Sequence, residues 1–306
     1  MQQVFGYVNR RIERESNIRK AINPILTYEV VPLGQTAGLI EYVDNTVSLL
    51  DLIEDLRKKH SSNKFSRSKG IAKLKAAMHK DRDTKKAVFC EIQREINPVM
   101  RYFFVEYAKT PEEWFQRRIS YSRGTATMCM VGYVLGIGDR HCNNILIDKV
   151  SGGPVPIDFG IAFDYGKYLP IPEVVPFRLT KNIIDGMGVT GIEGPFRLSA
   201  ERSLKVLRSN RDNILSILKA LQYDPLYSWS ISSLRMHNVQ QDLNKVDAEN
   251  RIKALGGVAS ADNALLTVKK KLYGDLKIET IVSKLITEAT DEYNLSMMFS
   301  GWLPFY

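Results

Sequence analysis

The chain has 306 residues, 44% of them apolar and 25% charged, with a net charge of +9. That is enough apolar content for a sizeable core and far from the composition of a disordered polymer. Cys90, Cys129 and Cys142 stand too far apart for a disulfide framework or a paired zinc motif, the longest apolar run (Met128 to Ile137) falls short of the roughly 20 residues of a membrane span, and no signal-peptide plan opens the chain, so a reducing cytosolic or nuclear compartment is expected.

Met1 to Arg14 is expected to form a helix on the spacing of Val4, Val8 and Ile12, with no cap or start signal before it. Ile25 to Leu33 and Gly38 to Val43, separated by the turn Gly34 to Ala37, have the β-branched and aliphatic content of a hairpin. Helices are then expected at Ser48 to Arg57, Ile71 to His79, Ala87 to Ile96, Pro98 to Ala108 and Pro111 to Leu135, the last stopping at Gly136 and Gly138. Further helices are expected at Ala200 to Leu221, Val239 to Leu255, Ala261 to Leu272 and Ile278 to Glu288, before an aromatic end with Phe299, Trp302, Phe305 and Tyr306. Much of the positive charge lies between Arg57 and Lys86. Only Phe65 interleaves it, which favours a solvated loop and helix over a direct nucleic-acid face.

The chemistry concentrates between Gly138 and Gly160. Gly138-Asp139-Arg140-His141-Cys142-Asn143-Asn144 leads into Ile145-Leu146-Ile147, a turn at Gly152-Gly153-Pro154, and Val155-Pro156-Ile157 before Asp158-Phe159-Gly160. The two apolar runs predict a β-hairpin whose open end sets Asn144 beside Asp158, an amide oxygen and a carboxylate suited to magnesium carried by ATP phosphates. Asp139 precedes Asn144 by five residues, the separation of catalytic Asp and metal-binding Asn in protein-kinase catalytic loops. Asp139 is therefore expected to accept or orient the proton of an attacking hydroxyl, and Asn144 and Asp158 to hold the metal.

The order Gly-Asp-Arg-His-x-x-Asn-Ile followed by Asp-Phe-Gly resembles the phosphatidylinositol 3-kinase superfamily, with His141 after the Asp rather than before it. Val175-Pro176-Phe177-Arg178-Leu179-Thr180, Asp185-Gly186-Met187-Gly188-Val189-Thr190-Gly191 and Glu193-Gly194 resemble its protein-kinase branch, and within that the ATM branch with its fungal telomere-maintenance orthologues. Gly301-Trp302-Leu303-Pro304-Phe305-Tyr306 is similar to the tip of a FATC segment.

The resemblance implies an α+β fold, a two-lobed kinase with most of the N-lobe missing and a predominantly helical C-lobe carrying the catalytic β-hairpin. Residues 1–43 would be a remnant of the N-lobe and hinge, 44–273 the C-lobe with regulatory helices, and 274–306 the FATC segment. The phosphate-covering loop, its Lys and an acidic partner would lie ahead of Met1, so the chain is expected to be N-terminally truncated. By position Ile40, Glu41, Tyr42 and Val43 would border adenine, with Leu146 and Ile157 beneath, each of these two equally well ordinary core. His141 joins Asp139 as a catalytic candidate, or buttresses the loop. Asp164, Leu169, Pro176 and Phe177 are the substrate candidates, with Asp164 and Leu169 offered for a Gln that follows the phosphoacceptor.

The implied activity is transfer of the ATP γ-phosphate to protein Ser or Thr, with magnesium, in the nucleus, in DNA double-strand break signalling and telomere maintenance. Implied partners are protein substrates and a DNA-end-sensing complex, with a homodimeric parent and no membrane. Two alternatives stand beside it: a catalytically silent scaffold or inhibitory fragment, and a lipid kinase. The lipid reading is opposed by the segment from Asp158 to Phe177, which offers polyanionic head groups only Lys167 against Asp164 and Glu173.

Overall fold

The computed structural model describes residues 1–14, 22–34, 37–63, 65–220 and 261–306. The helix expected at Val239 to Leu255 lies outside them, as do Gln35 and Thr36 of the first turn. Among the described residues no helix is long and apolar enough to cross a membrane.

Helix α1 (Gln2–Arg14) buries Val4, Phe5, Val8 and Ile12, the stripe its spacing predicts. The expected first hairpin is shorter than its apolar runs: β1 (Val30–Pro32) pairs antiparallel with β2 (Gly38–Ile40), and both strands are exposed. Ile25 and Tyr28 are instead buried outside any strand. A strand missed in the sequence, β3 (Thr46–Ser48), pairs antiparallel with β4 (Ile145–Asp148), and β4 with β5 (Pro154–Pro156), giving a three-stranded sheet ordered β3-β4-β5. Three residues are too few for alternation to declare itself, and pairing partners about a hundred positions away supply what the local pattern lacks.

Ser48 ends β3 and caps α2 (Leu49–His60), accepting the Asp51 N–H on its hydroxyl. Then come α3 (Arg67–Ala77), α4 (Arg82–Glu95, capped by Asp81) and α5 (Arg101–Tyr107). Helix α6 (Pro111–Leu135) is bounded as expected: Thr110 caps it, Pro111 opens it, and Gly136 closes it at φ 61. A side chain at Gly136 would be strained by that φ and would strike the Asp164 main chain, so the stop also sets where the segment from Asp158 to Phe177, the activation segment of the expected kinase fold, crosses.

After α7 (Lys181–Gly186), the single helix expected at Ala200 to Leu221 is two: α8 (Pro195–Ser209) and α9 (Arg211–Ala220). They part at Asn210, whose side chain turns back to the Val206 carbonyl and competes with the helical ladder. Helix α6 packs along α8, and α10 (Ala261–Leu272), α11 (Ile278–Thr290) and α12 (Glu292–Ser296) close on the same body. Apolar side chains from α1 through to Tyr306 form one continuous core.

Charges between Arg57 and Lys86 are partly matched locally: Lys73 bonds Glu91 and Glu95, Lys59 bonds Glu106, and Arg67 pairs with Glu54.

Candidate active site

The loop between α6 and β4 carries Asp139 at φ 56, and the residue after β5 and Ile157, Asp158, sits at φ 52. Non-glycine residues in the left-handed region are held there by their surroundings. Here the holding groups can be named. Arg140 is buried and donates from Nε to the Gly138 carbonyl at 2.8 Å, and from Nη1 to those of Asn144 and Ile157 at 3.2 and 2.6 Å. Its Nη2 reaches the Asp158 carbonyl, and its guanidinium lies over the Phe159 ring. One cation thereby ties the catalytic loop to the strand that ends at Asp158.

Asn144 closes a 3₁₀ turn and is 6% exposed; its side-chain amide donates to the Asp139 carbonyl at 2.9 Å. Its own carbonyl accepts the Ile157 N–H at 3.2 Å, so the hairpin's open end brings Asn144 alongside the residue preceding Asp158, as the sequence predicts. The Asp158 carboxylate receives the Gly160 N–H at 2.9 Å. A carboxylate oriented this way, with a neighbouring amide oxygen, fits magnesium, a hard ion that takes a few protein oxygens and completes its shell with phosphate and water. Among the described residues no group of three or more His, Cys, Asp and Glu gathers as a metal cage.

Burial pushes the Asp139 carboxyl up to about 6, with Asp158 adding to the rise and Arg140 opposing it. His141 is driven down to about 4 by burial and then by Arg140 and Arg178, so its imidazole is neutral at physiological pH. Its Nδ1 accepts the Asn143 N–H at 3.2 Å, which leaves the ring proton on Nε2.

A cleft of about 810 Å³ opens beside Asp158, and Ile40, Glu41, Tyr42, Val43, Leu146 and Ile157 all line it. Tyr42 is 84% exposed and Ile40 70%, so the hinge side presents open apolar surface. Tyr28, Val47 and Phe159 share the cleft and were not expected there from the sequence; Val47 lies on the missed strand.

The substrate candidates divide. Asp164 and Pro176 line a second cavity, about 520 Å³, together with Gly138, Gly166, Glu173 and Lys271. Leu169 is 1% exposed and Phe177 6%, so both belong to the body that supports the segment rather than to its surface. Asp164 turns its carboxylate to Lys271 at 2.7 Å and Lys167 at 3.0 Å, and against the upward push of burial these cations hold it below the ordinary range. Asp164 thus lines the cavity with its carboxylate paired, while Leu169 is buried outside that lining. An aliphatic side chain in an activation segment is more stable packed inward than waiting for substrate.

Arg178, quoted in the sequence only as part of the Val175 to Thr180 stretch and given no role there, is fully buried. It donates to the carbonyls of Trp302 and Leu303, both at 2.7 Å, to the Tyr306 main-chain oxygen at 3.2 Å, and to the Arg140 carbonyl at 3.4 Å. The aromatic end is thus the anchor its composition suggests, with Trp302, Phe305 and Tyr306 each at most 4% exposed and the edge of Phe305 against Phe65.

A helical body, a small catalytic sheet and an Asp-Asn-Asp constellation beside a nucleotide-sized cleft define the catalytic half of a kinase-type fold. The chain matches the family described as phosphatidylinositol 3- and 4-kinase over residues 1–231 and the FATC domain over residues 275–306. It belongs to that kinase family. It is 44% identical to the serine/threonine-protein kinase TEL1 of Debaryomyces hansenii and 41% identical to that of Saccharomyces cerevisiae, in each case over the whole of this chain. It covers 10% and 11% of those proteins, so it spans about a tenth of the length of the curated relatives it matches. A solved structure of the FAT and kinase domain of CtTel1 superimposes with a TM-score of 0.87 at 40% identity, covering all of this chain and 20% of that one. A complete CtTel1 dimer with C2 symmetry matches with the same score over 11% of its chain.

Proposed function

We propose that this chain supplies the phosphoryl-transfer centre of a protein serine/threonine kinase, which moves the γ-phosphate of ATP to Ser or Thr of protein substrates. The observation that carries the reading is that Asp158 lines the cleft bordered by Ile40 to Val43, while Asn144, whose side-chain amide donates to the Asp139 carbonyl, accepts the N–H of the residue just before Asp158. Asp139 would take the proton of the incoming hydroxyl; lifted to about 6, it is still ionised at neutral pH yet a better base than an ordinary carboxylate. Asn144 and Asp158 would hold magnesium, which when bound neutralises charge on the transferring phosphoryl group. His141, neutral, would offer its Nε2–H to a phosphate oxygen as a hydrogen-bond donor. Ile40, Glu41, Tyr42 and Val43 would border adenine from the hinge, with Leu146 and Ile157 below.

Protein rather than lipid substrates are supported by the activation segment, whose Lys167 is already paired with Asp164. Substrates with Gln after the acceptor are the proposed preference, with Asp164 and Pro176 on the cavity next to Gly138. Action in the nucleus, in telomere maintenance and DNA-break signalling under a DNA-end-sensing complex, is the proposed setting, and the dimeric relative supports a homodimeric parent. We assign 1–43 to the hinge side, 44–273 to the C-lobe and 274–306 to the FATC segment.

The test is phosphorylation of Ser-Gln peptides by the full-length protein, wild type against Asp158→Ala. A loss of roughly 100-fold or more supports the metal-binding assignment, and near-normal turnover overturns it. Labelling of phosphoinositide instead of peptide would establish a lipid kinase, and ATP-analogue binding without transfer by the wild type a scaffold.

A further inference from the structure

Glu173 is the one acidic residue whose side chain reaches the catalytic loop from the activation segment. Its Oε1 accepts the main-chain N–H of Asp139 at 2.8 Å. The residue is part-exposed, but its carboxyl end sits in a slot made by two glycines: a Cβ at Gly138 would lie 2.3 Å from Oε2, and one at Gly166 2.0 Å. The slot is fixed from the other side, because the Glu173 N–H donates to the Gly166 carbonyl at 3.0 Å. Asp139 itself stands at φ 56, a left-handed conformation that costs Asp less than most residues but is still favoured when neighbours hold it.

We propose that Glu173 is a positioning residue: by accepting the Asp139 N–H it holds the catalytic loop in its left-handed turn, so that Asp139 faces the acceptor hydroxyl only when the activation segment is seated. The inference rests on the kinase reading above and extends it, because it makes the seating of residues 164–176 a condition for base geometry. What the role requires is an acceptor oxygen at one point in space, not a negative charge. Burial, which pushes the Glu173 carboxyl up to about 7, is consistent with that, since the protonated acid keeps a carbonyl oxygen for the same N–H.

The experiment compares wild type with Glu173→Gln, Glu173→Asp and Glu173→Ala in the full-length protein, using one peptide with Gln after the acceptor serine and one with Ala there. Gln keeps the oxygen in place without charge; Asp keeps the charge but withdraws the oxygen by one methylene. Asp and Ala variants should lose roughly 30- to 100-fold in kcat on both peptides. The KM for ATP should stay within about threefold and Glu173→Gln should turn over within about threefold of wild type. Exchange of the Asp139 amide, read by mass spectrometry on the segment 136–140, should be slow in wild type and Gln and fast in Asp; this comparison decides the matter if the Ala variant does not fold.

Equal kcat for Asp and wild type overturns the proposal, as does a Gln variant as impaired as Asp. A loss confined to the Gln-containing peptide also overturns it, in favour of a substrate contact. Absence of transfer by the wild type on either peptide would defeat the kinase reading instead, and the exchange comparison would still decide whether Glu173 holds the loop.

Discussion

Arg178 lays its guanidinium over the indole of Trp302, 4.3 Å from the ring centre, while its Nη1 donates to the Trp302 carbonyl at 2.7 Å. The same side chain reaches the Arg140 carbonyl, and Arg140 in turn holds the carbonyls around Asn144 and Asp158. Two buried arginines thus connect the aromatic end of the chain to the catalytic hairpin through charge-assisted hydrogen bonds to main-chain oxygens.

Removal of Gly301 to Tyr306 should therefore impair turnover although none of these residues lines the nucleotide cleft. Arg178→Met should act in the same direction and destabilise the fold by roughly 3 kcal/mol, because it leaves buried carbonyls without donors. Thermal melts together with peptide phosphorylation test both. A truncated protein with unchanged turnover would show the end to be a passive tail.

Asp139→Ala and Asn144→Ala should differ in kind. Loss of the base should lower kcat by about 100-fold or more while ATP affinity stays within a few-fold. Loss of the amide oxygen should raise the magnesium concentration needed for half-maximal rate, and excess magnesium should recover part of the activity. Titration of rate against magnesium for the two variants separates these outcomes, and identical curves would contradict the division of roles.

Glu173 makes a stability prediction with a definite sign. Burial, with the Asp139 carboxylate adding and the Asp139 N–H and Arg140 opposing, raises its carboxyl to about 7. Asp164, Lys167 and Lys271 line the same cavity. A carboxyl whose folded pKa exceeds its unfolded value binds protons more tightly when folded, so the folded state is favoured at low pH and loses stability as pH rises from about 4.5 through about 7. The loss should be on the order of 2 kcal/mol and absent in Glu173→Gln, which mimics the protonated form. Melting curves of both proteins at pH 5 and pH 7.5 measure the difference. A wild-type profile parallel to that of the Gln variant would refute it.

Lys271 on α10 donates to the Tyr133 carbonyl and to Asp164, both at 2.7 Å, with each side chain of the ion pair at most 15% exposed. Either Lys271→Met or Asp164→Asn should cost about 3 kcal/mol by leaving a buried partner uncompensated, and the double variant should cost less than the two together. A double-mutant cycle from denaturant melts gives the coupling, and strict additivity would mean that the pair does not act as a unit. Cleavage of residues 160–176 by a protease should quicken in both single variants.

Asp139, Asn144 and Asp158 were legible because their relation is local. A short hairpin with a glycine turn brings positions on either side of it together whatever the rest of the chain does. The hinge residues were legible only through resemblance; in the structure they share a cleft with Leu146 and Ile157. Leu169 and Phe177 are buried instead. An apolar residue in a segment expected to meet substrate looks the same in sequence whether it faces outward or inward, and here the core claims both.

What the sequence by itself determined was the class of chemistry and most of the helices, since periodicity, caps such as Thr110 with Pro111, and the spacing of Asp139 to Asn144 are written within a few residues. What only the tertiary structure decided was who holds those residues in place. Glu173 meets Asp139 across 34 positions, Lys271 meets Asp164 across 107 and Arg178 meets Trp302 across 124. A charged side chain in sequence carries no mark of burial, because burial costs it its hydration and is tolerated only where partners from distant parts of the chain compensate the charge. Only folding, by removing the water, leaves each with one particular partner.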